Sequence, residues 1–502
     1  MLTKSNPDEI QSYLTDASNM KGGCAARVIF PESVQEVSAV LAEASRAQTA
    51  VAVSGAGSGV TGGRVPFGGI VLATDRLNRI LHVTAGADGG RAVVETGVVL
   101  RDLQTAAAAQ GMFYPPDPTE WTCFVGASVA TNASGARTFK YGPTRNYVRR
   151  LQIVLATGEV LELSRGQVVA GDDGWLKLPL PDGRTIEARL PSYQMPVTRK
   201  HAAGYFVAPG MDALDLFIGS EGTLGVLTEV EVALLPRPAG VLAGVVFFDA
   251  ETDLLNFVQA ARTQSLQTRQ NAPARATGVD ARALEYFDAE ALEFLRGHYP
   301  RIPGGVAGAV FFEQEVTADT EDALLEAWLQ LLEKHHARQE DSWFAANEND
   351  QQALRDFRHH LPVLVNEWIA RHGQRKVSTD MAVPDDEFAA MLGFYRASLR
   401  QCGLRYVIFG HIGDNHVHVN ILPRNEDESA QARQLYRRFI ERSIAVGGTV
   451  SAEHGIGKLK REYLQMLYGD QGLREMAALK LALDPAGILG RGNLFPEELL
   501  FA

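Results

Sequence analysis

Cysteine is scarce in this 502-residue chain: Cys24, Cys123 and Cys402 stand far apart, with no CxxC or CxxxC pair. That argues against a cysteine-ligated iron–sulfur centre or zinc knuckle. So sparse and odd a set fits a reducing compartment. Long apolar runs are missing too, and no stretch reads as a bilayer span. The opening MLTKSNPDEIQSYL lacks the apolar core of a secretion signal, so a cytoplasmic protein is expected. Basic runs are short, and the densest, Arg145 to Arg150, reads as a solvated face. With 48 Lys and Arg against 60 Asp and Glu, the net charge is −12. Such a chain shows no electrostatic footprint for nucleic acid or for an anionic membrane surface. Internal repeats, heptads and low-complexity tracts are absent as well.

What is present is ordinary globular composition, 46% hydrophobic and 22% charged, with 48 glycines. The length calls for two large domains or three smaller ones. Ser33 and Glu36 have capping-box spacing, and Val34, Val37, Val40, Leu41 and Ala44 follow at helical spacing. Strands are expected at Ala50 to Ser54, Gly69 to Thr74 and Arg91 to Val99, with a hairpin from Leu151 to Leu163. Arg237-Pro238-Ala239-Gly240 is the best domain boundary. Beyond it, strand-like segments alternate with longer helices, which suggests an α+β sheet with helices on one face.

The run Ser54-Gly55-Ala56-Gly57-Ser58-Gly59-Val60-Thr61-Gly62-Gly63 reads as a phosphate cradle. Glycines let successive N–H groups converge, and Ser58 and Thr61 add hydroxyls. Val60 stands where a dinucleotide fingerprint needs its third glycine, and no Gly-Lys-Ser/Thr follows, so neither a Rossmann nor a Walker motif is present. By itself the run could be a simple turn between strands. Two further small-residue regions change the balance. One holds Pro116-Asp117-Pro118-Thr119, Gly126-Ala127-Ser128 and Asn132-Ala133-Ser134-Gly135; the other is Gly219-Ser220-Glu221-Gly222-Thr223-Leu224-Gly225-Val226. One phosphate needs none of these, whereas an extended dinucleotide could use them all.

In this order and spacing the segments resemble the FAD-binding domain of the vanillyl-alcohol-oxidase type. Later motifs resemble the D-lactate, glycolate and D-2-hydroxyglutarate dehydrogenase group, with its FAD-linked oxidase C-terminal domain. The resemblance covers nearly the whole chain. It implies an α+β fold: a two-subdomain PCMH-type FAD-binding domain over residues 1–237, and an α+β cap domain with an antiparallel sheet over 238–450. A C-terminal segment, 451–502, would return to the FAD domain. The cofactor residues it implies are Ser54, Gly55, Ala56, Gly57, Ser58, Gly59, Thr61, Gly62, Pro116, Asp117, Thr119, Gly126, Ser128, Asn132, Ser134, Gly135, Glu221, Gly222, Gly225, Val226 and Asn493. Asn493 lies in Gly-Asn-Leu-Phe, where the family's usual Asn-Pro-Gly ending is altered. Some relatives attach flavin through a loop histidine; none occurs from Ser54 to Gly63, so non-covalent FAD is expected.

The densest chemistry is Gly410-His411-Ile412-Gly413-Asp414-Asn415-His416-Val417-His418-Val419-Asn420. It reads as strand, turn, strand, so His416, His418 and Asn420 share a face. A two-residue turn would bring His411 opposite His416; a three-residue turn would not. Three imidazoles on one face suit a divalent metal such as zinc, although a polar sheet surface could also carry them. Ser451-Ala452-Glu453-His454-Gly455-Ile456-Gly457 offers a carboxylate and a further imidazole. Metal-dependent members of the family resemble GHxGDGNxHxN followed by GxxSxEHGxG. Carried over, His411, His418 and Glu453 would hold the metal and His454 would be the catalytic base. Asn415 and His416 depart from the pattern, where Gly and Asn are common, which leaves open whether His416 joins the metal or lines the pocket. Arg358, Lys376 and Asn420 match substrate-binding positions, and Lys200 and Tyr205 match a less specific segment near the cofactor.

The implied reaction is oxidation of a D-2-hydroxy acid to the 2-oxo acid, with hydride passing to flavin N5. A metal-bound hydroxyl has a lowered pKa, and a neutral histidine can take its proton. The electron acceptor could be a quinone, a cytochrome or an electron-transfer flavoprotein, and the chain is compatible with a homodimer. Three readings compete: a redox-neutral FAD enzyme of the alkylglycerone-phosphate-synthase type, a metal-dependent hydrolase with structural glycine loops, and a non-catalytic flavin module.

Overall fold

The computed structural model describes residues 1–86, 88–271 and 278–501. Its first unit is a four-stranded sheet in the order Leu2–Lys4, Arg27–Phe30, Ile70–Ala73, Val51–Ser54, the last three parallel. Helix Val34–Arg46 starts where the sequence predicts, with the Ser33 side chain accepting the Glu36 N–H. Its buried stripe of Val37, Val40, Leu41 and Ala44 packs on Ile70 and Leu72 of the sheet. The glycine-rich loop leaves the carboxyl end of strand Val51–Ser54, where crevices form in parallel sheets.

A six-stranded antiparallel sheet follows. Its main order is Ile80–Thr84, Gly90–Glu95, Val226–Pro236, Val148–Val154, Val160–Ser164, with Met112–Phe113 pairing the far end of the central strand. Across residues 237–239 the chain leaves this sheet and enters another at Gly240–Phe248. That third sheet has seven strands in the order Trp343–Phe344, Gly240–Phe248, Gly308–Val316, Ala281–Asp288, Tyr406–Gly410, His418–Ile421, Val377–Ser378, all antiparallel. The expected α+β arrangement is therefore found, with one correction. Helices cover both faces of the third sheet, not one. Phe257 and Trp328 pack with Val246, Phe248 and Phe312, while Leu292, Phe357 and Leu361 pack with Val245, Phe247 and Phe311. Strand Ala281–Asp288 accordingly has every residue buried rather than every second one.

The C-terminal region returns to the first unit. After helix Arg461–Leu483, broken at Gly469 where φ is +68°, the Val51 N–H donates to the Ile488 carbonyl at 2.8 Å and the Gly490 N–H to the Val51 carbonyl at 2.9 Å. Among the described residues, no helix is long and apolar enough to cross a membrane.

Candidate active site

The three small-residue regions converge on one cleft of about 360 Å³, which Glu453 and His454 also line. The glycine loop forms one wall with an uneven use of its backbone. Its oxygens are tied down: the Gly57 carbonyl accepts the Ala17 N–H at 3.0 Å and the Thr61 carbonyl accepts the Lys458 N–H at 3.0 Å. Arg64 donates to the Gly55 carbonyl at 2.7 Å and to Ser54 Oγ at 3.0 Å. By contrast, no backbone N–H from Gly55 to Gly63 donates to a protein acceptor among the described residues. A loop anchored through its carbonyls with its donors unspent is a ready anion cradle. Gly57 is required there: its φ is +84°, and a Cβ would sit 2.4 Å from the Arg64 guanidinium carbon.

Gly55, Ala56, Gly57, Ser58, Gly59 and Thr61 line the cleft, as do Thr119, Gly126, Ser128, Ser134, Glu221, Gly222 and Gly225. The other residues expected at the cofactor stand behind this lining. Ser54 lies under the loop against Arg64. Gly62 and Pro116 are off the cleft. Asp117 pairs with Arg137 at 3.4 Å, and Gly135 packs against the Asp117 carbonyl. Asn132 accepts the Arg145 N–H at 3.0 Å. Val226 turns into the core, and Leu227 lines the cleft in its place. Asn493 stitches segments together, donating to the Gly63 carbonyl at 2.9 Å and accepting from Lys458 Nζ at 2.7 Å.

The loop carrying Glu453 and His454 is clamped from two sides. Glu221 accepts the Ile456 and Gly457 N–H groups, one on each carboxylate oxygen, both at 2.7 Å. Burial pushes the Glu221 pKa up, against the pull of those two donors and of Lys460 and Lys458. On the other side, fully buried Asp380 accepts the Glu453 N–H at 3.2 Å and the His454 N–H at 3.1 Å. Asp380 also takes Ser451 Oγ and Lys460 Nζ, both at 2.6 Å. Burial opposes its charge, but His454, Lys460 and His416 hold its carboxyl well below the usual range.

The histidine hairpin differs from the simple turn. Phe409 pairs with His418, and residues 411–417 form the connection, with a 3₁₀ turn at Ile412–Asp414. His411 is therefore not strand-paired with His416; the turn, not register, aims it. Asn415 takes a left-handed conformation at φ +54°, one that asparagine tolerates better than most residues. Its amide is fixed between Arg262 at 2.5 Å and Asp385 at 2.6 Å.

All three imidazoles still meet Glu453. One ligand atom from each of His411, His416, His418 and Glu453 lies within 4.8 Å of the others, and Asp380, His418, Glu453 and His454 form a second such group. His418 Nδ1 donates to the Thr379 carbonyl at 2.9 Å, which turns its Nε2 toward Glu453 Oε1 at 3.2 Å. His411 Nδ1 contacts Glu285 at 2.7 Å, and its Nε2 lies 3.3 Å from the same Glu453 oxygen. Burial disfavours a charge on His411, but Glu285 and Glu453 outweigh it and bring its pKa up to about 9. Two imidazole nitrogens converging on one carboxylate oxygen are held together by protons or by a cation between them. The donor set therefore fits a divalent ion.

His454 stacks on His418 with ring centroids 5.3 Å apart and its Nδ1 is 3.5 Å from Asp380. Burial pushes it down to about 4, against Asp380 and Glu453, an effect tempered by the 31% of its side chain still exposed. Lys200, fully buried, donates to Glu453 at 2.9 Å. Tyr205 instead bonds Thr223 in the core at 2.8 Å. Arg358 donates to Glu285 at 2.9 Å, so guanidinium, carboxylate and His411 form one chain. Asn420 is buried beside His418, donating to its carbonyl. Lys376 is exposed and makes no ion pair among the described residues. Sequence reasoning missed Glu285 and gave Asp380 no role. A lone carboxylate inside the apolar strand Ala281–Asp288 is the signal that could have found the first.

The FAD binding domain family matches residues 25–164, and the family of FAD linked oxidases, C-terminal domain, matches residues 259–494. The chain is 28% identical to glycolate oxidase subunit GlcD of Bacillus subtilis, over 97% of its own length and 92% of the relative's. It is 29% identical to a D-lactate dehydrogenase of Anaerostipes hadrus, covering 97% and 93% respectively. It is likewise 29% identical to a D-2-hydroxyglutarate dehydrogenase of Xanthomonas citri pv. viticola, covering 98% and 94%. Among solved structures, 4-ethylphenol oxidase from Gulosibacter chungangensis superposes with a TM-score of 0.70 at 19% identity, over 99% of this chain and 95% of that one. An alkyldihydroxyacetonephosphate synthase superposes with a TM-score of 0.67 at 16% identity, over 97% and 81%; at such identities the likeness is one of fold. With a PCMH-like nucleotide-binding fold and two matched domains across most of its length, this chain belongs to the FAD-linked oxidase family and is an FAD-dependent oxidoreductase.

Proposed function

We propose that the protein oxidises a D-2-hydroxy acid to the corresponding 2-oxo acid. The observation that carries this is a single cleft in which a loop with unspent N–H donors faces the His454 and Glu453 side chains. The relatives named for glycolate, D-lactate and D-2-hydroxyglutarate support the substrate class.

Bound FAD would accept the hydride from the substrate carbon, and a divalent ion such as zinc would polarise its hydroxyl. The flavin is non-covalent in this reading, since the glycine loop offers its N–H groups and no histidine. His411, His418 and Glu453 hold the ion. His454, neutral at physiological pH, takes the hydroxyl proton on a ring nitrogen. Asp380 positions that ring and the loop that carries it. Arg358, steadied by Glu285, and the uncommitted cation of Lys376 attract the substrate carboxylate, with Asn420 next to His418 completing the substrate set. Residues 1–237 serve the flavin, 238–450 the substrate, and 451–502 bring Glu453 and His454 between the two. Electrons leave to a separate acceptor: a quinone, a cytochrome or an electron-transfer flavoprotein.

His454→Ala tests the assignment. The variant should keep its bound flavin, because the unspent N–H donors of the glycine loop do not depend on the His454 ring, and lose flavin reduction by substrate. Reduction at the wild-type rate would remove His454 as the base.

A further inference from the structure

Of the three imidazoles around Glu453, one makes no hydrogen bond among the described residues. His411 uses Nδ1 on Glu285, and His418 uses Nδ1 on the Thr379 carbonyl. His416 has zero exposure, and neither of its ring nitrogens makes a hydrogen bond. Its Nε2 lies 3.2 Å from Asp380 Oδ1, close enough to feel that charge but outside hydrogen-bond geometry; Oδ1 accepts the Glu453 N–H, and Oδ2 takes the His454 N–H, Ser451 and Lys460. Burying a polar group without a hydrogen bond is costly, and a ring with two such atoms needs a compensating partner. Among the described residues no hydrogen bond supplies that partner, and the ring stands 4.5 Å from His418 and 5.3 Å from His411 between centroids. A ligand atom of His416 shares the 4.8 Å cluster with His411, His418 and Glu453.

Resting on the metal reading above, we propose that His416 is itself a ligand of the ion. This chain then builds a set of three imidazoles and one carboxylate where the family pattern has asparagine. Such a set favours a borderline ion, Zn²⁺ or Co²⁺, over a hard one that prefers oxygen ligands. In a six-coordinate ion, four protein ligands leave two positions, enough for the hydroxyl and one carboxylate oxygen of a 2-hydroxy acid.

The test uses FAD-loaded full-length protein, stripped with a chelator and reloaded with Zn²⁺. X-ray absorption at the zinc edge should count three imidazoles in the wild type and two in His416→Asn. A competitive chelator titration should show Zn²⁺ held more weakly by that variant, by roughly tenfold or more. Circular dichroism and flavin content of the metal-free variant report whether it folds; if it does not, the wild-type count decides alone. Zinc bound through two imidazoles, or an unchanged affinity in a folded variant, overturns the inference and leaves the metal reading standing. A wild-type protein that takes up no Zn²⁺ overturns both.

Discussion

Glu221→Gln isolates the clamp on the loop that carries Glu453 and His454. Both carboxylate oxygens of Glu221 are in use, each accepting one N–H at 2.7 Å. An amide has one acceptor oxygen, and its NH₂ would face the second N–H donor to donor. One buried N–H is then orphaned, at a cost of about 1–3 kcal/mol. Part of this returns because a buried carboxylate, whose pKa burial already pushes up, is no longer charged. The net loss should be on the order of 1–2 kcal/mol, small enough for the fold to survive. Asp380 still grips the Glu453 and His454 N–H groups, so the loop loosens on one side only. A displacement of about 1 Å at reacting groups costs on the order of 100-fold in rate. Thermal unfolding followed by flavin fluorescence reads the first effect, and anaerobic stopped-flow flavin reduction reads the second. The variant should bind FAD, melt earlier, and be reduced about 100-fold more slowly at saturating substrate. A Gln variant reduced at the wild-type rate would refute the clamp.

Gly57→Ala should strip the protein of flavin, because φ there is +84° and the new methyl would meet the Arg64 guanidinium; the flavin-to-protein absorbance ratio checks it, and full retention would contradict it. Asp288→Asn tests a pH effect outside the active site. Burial pushes the Asp288 pKa from 3.8 up to about 7, against its bonds to the Ala291 and Ile408 N–H groups. Between those values the unfolded chain releases a proton that the folded chain keeps, so wild-type stability falls as pH rises, by at most about 1.4 kcal/mol per pH unit, and levels off above pH 7. Asparagine can still cap helix Ala289–Arg296 and does not titrate. Its melting-temperature advantage should therefore grow between about pH 5 and 7 and then hold constant; an advantage independent of pH would contradict the assignment.

That the three small-residue segments would line one cleft was legible because such demands are written in residue types: glycines where the backbone must turn, small hydroxyl residues where a close approach is needed. Which of those residues face the cleft was not. Ser54, Gly62, Asp117, Asn132, Gly135 and Asn493 support the cradle from behind, a distinction set by packing across sequence separations of up to 430 residues. The histidine segment stood out by the density of its imidazoles, but its register could not be read, because residues 411–417 form a turn that strand alternation does not describe. Glu285 comes from strand Ala281–Asp288 and Asp380 from the segment just after strand Val377–Ser378, and nothing in the local pattern ties either to His411 or His454. The two-sided helical cover of the third sheet was visible only as an unbroken buried strand, Ala281–Asp288, a pattern that resembles any apolar run until the neighbouring helices are placed.

Anaerobic mixing of the FAD-loaded protein with a panel of D- and L-2-hydroxy acids tests the central claim most directly. The account predicts that at least one D-acid bleaches the flavin within the catalytic timescale and yields one 2-oxo acid per flavin. Flavin that stays oxidised against the whole panel, while a chemical reductant bleaches it readily, would contradict hydroxy-acid oxidation and favour redox-neutral chemistry on the same fold.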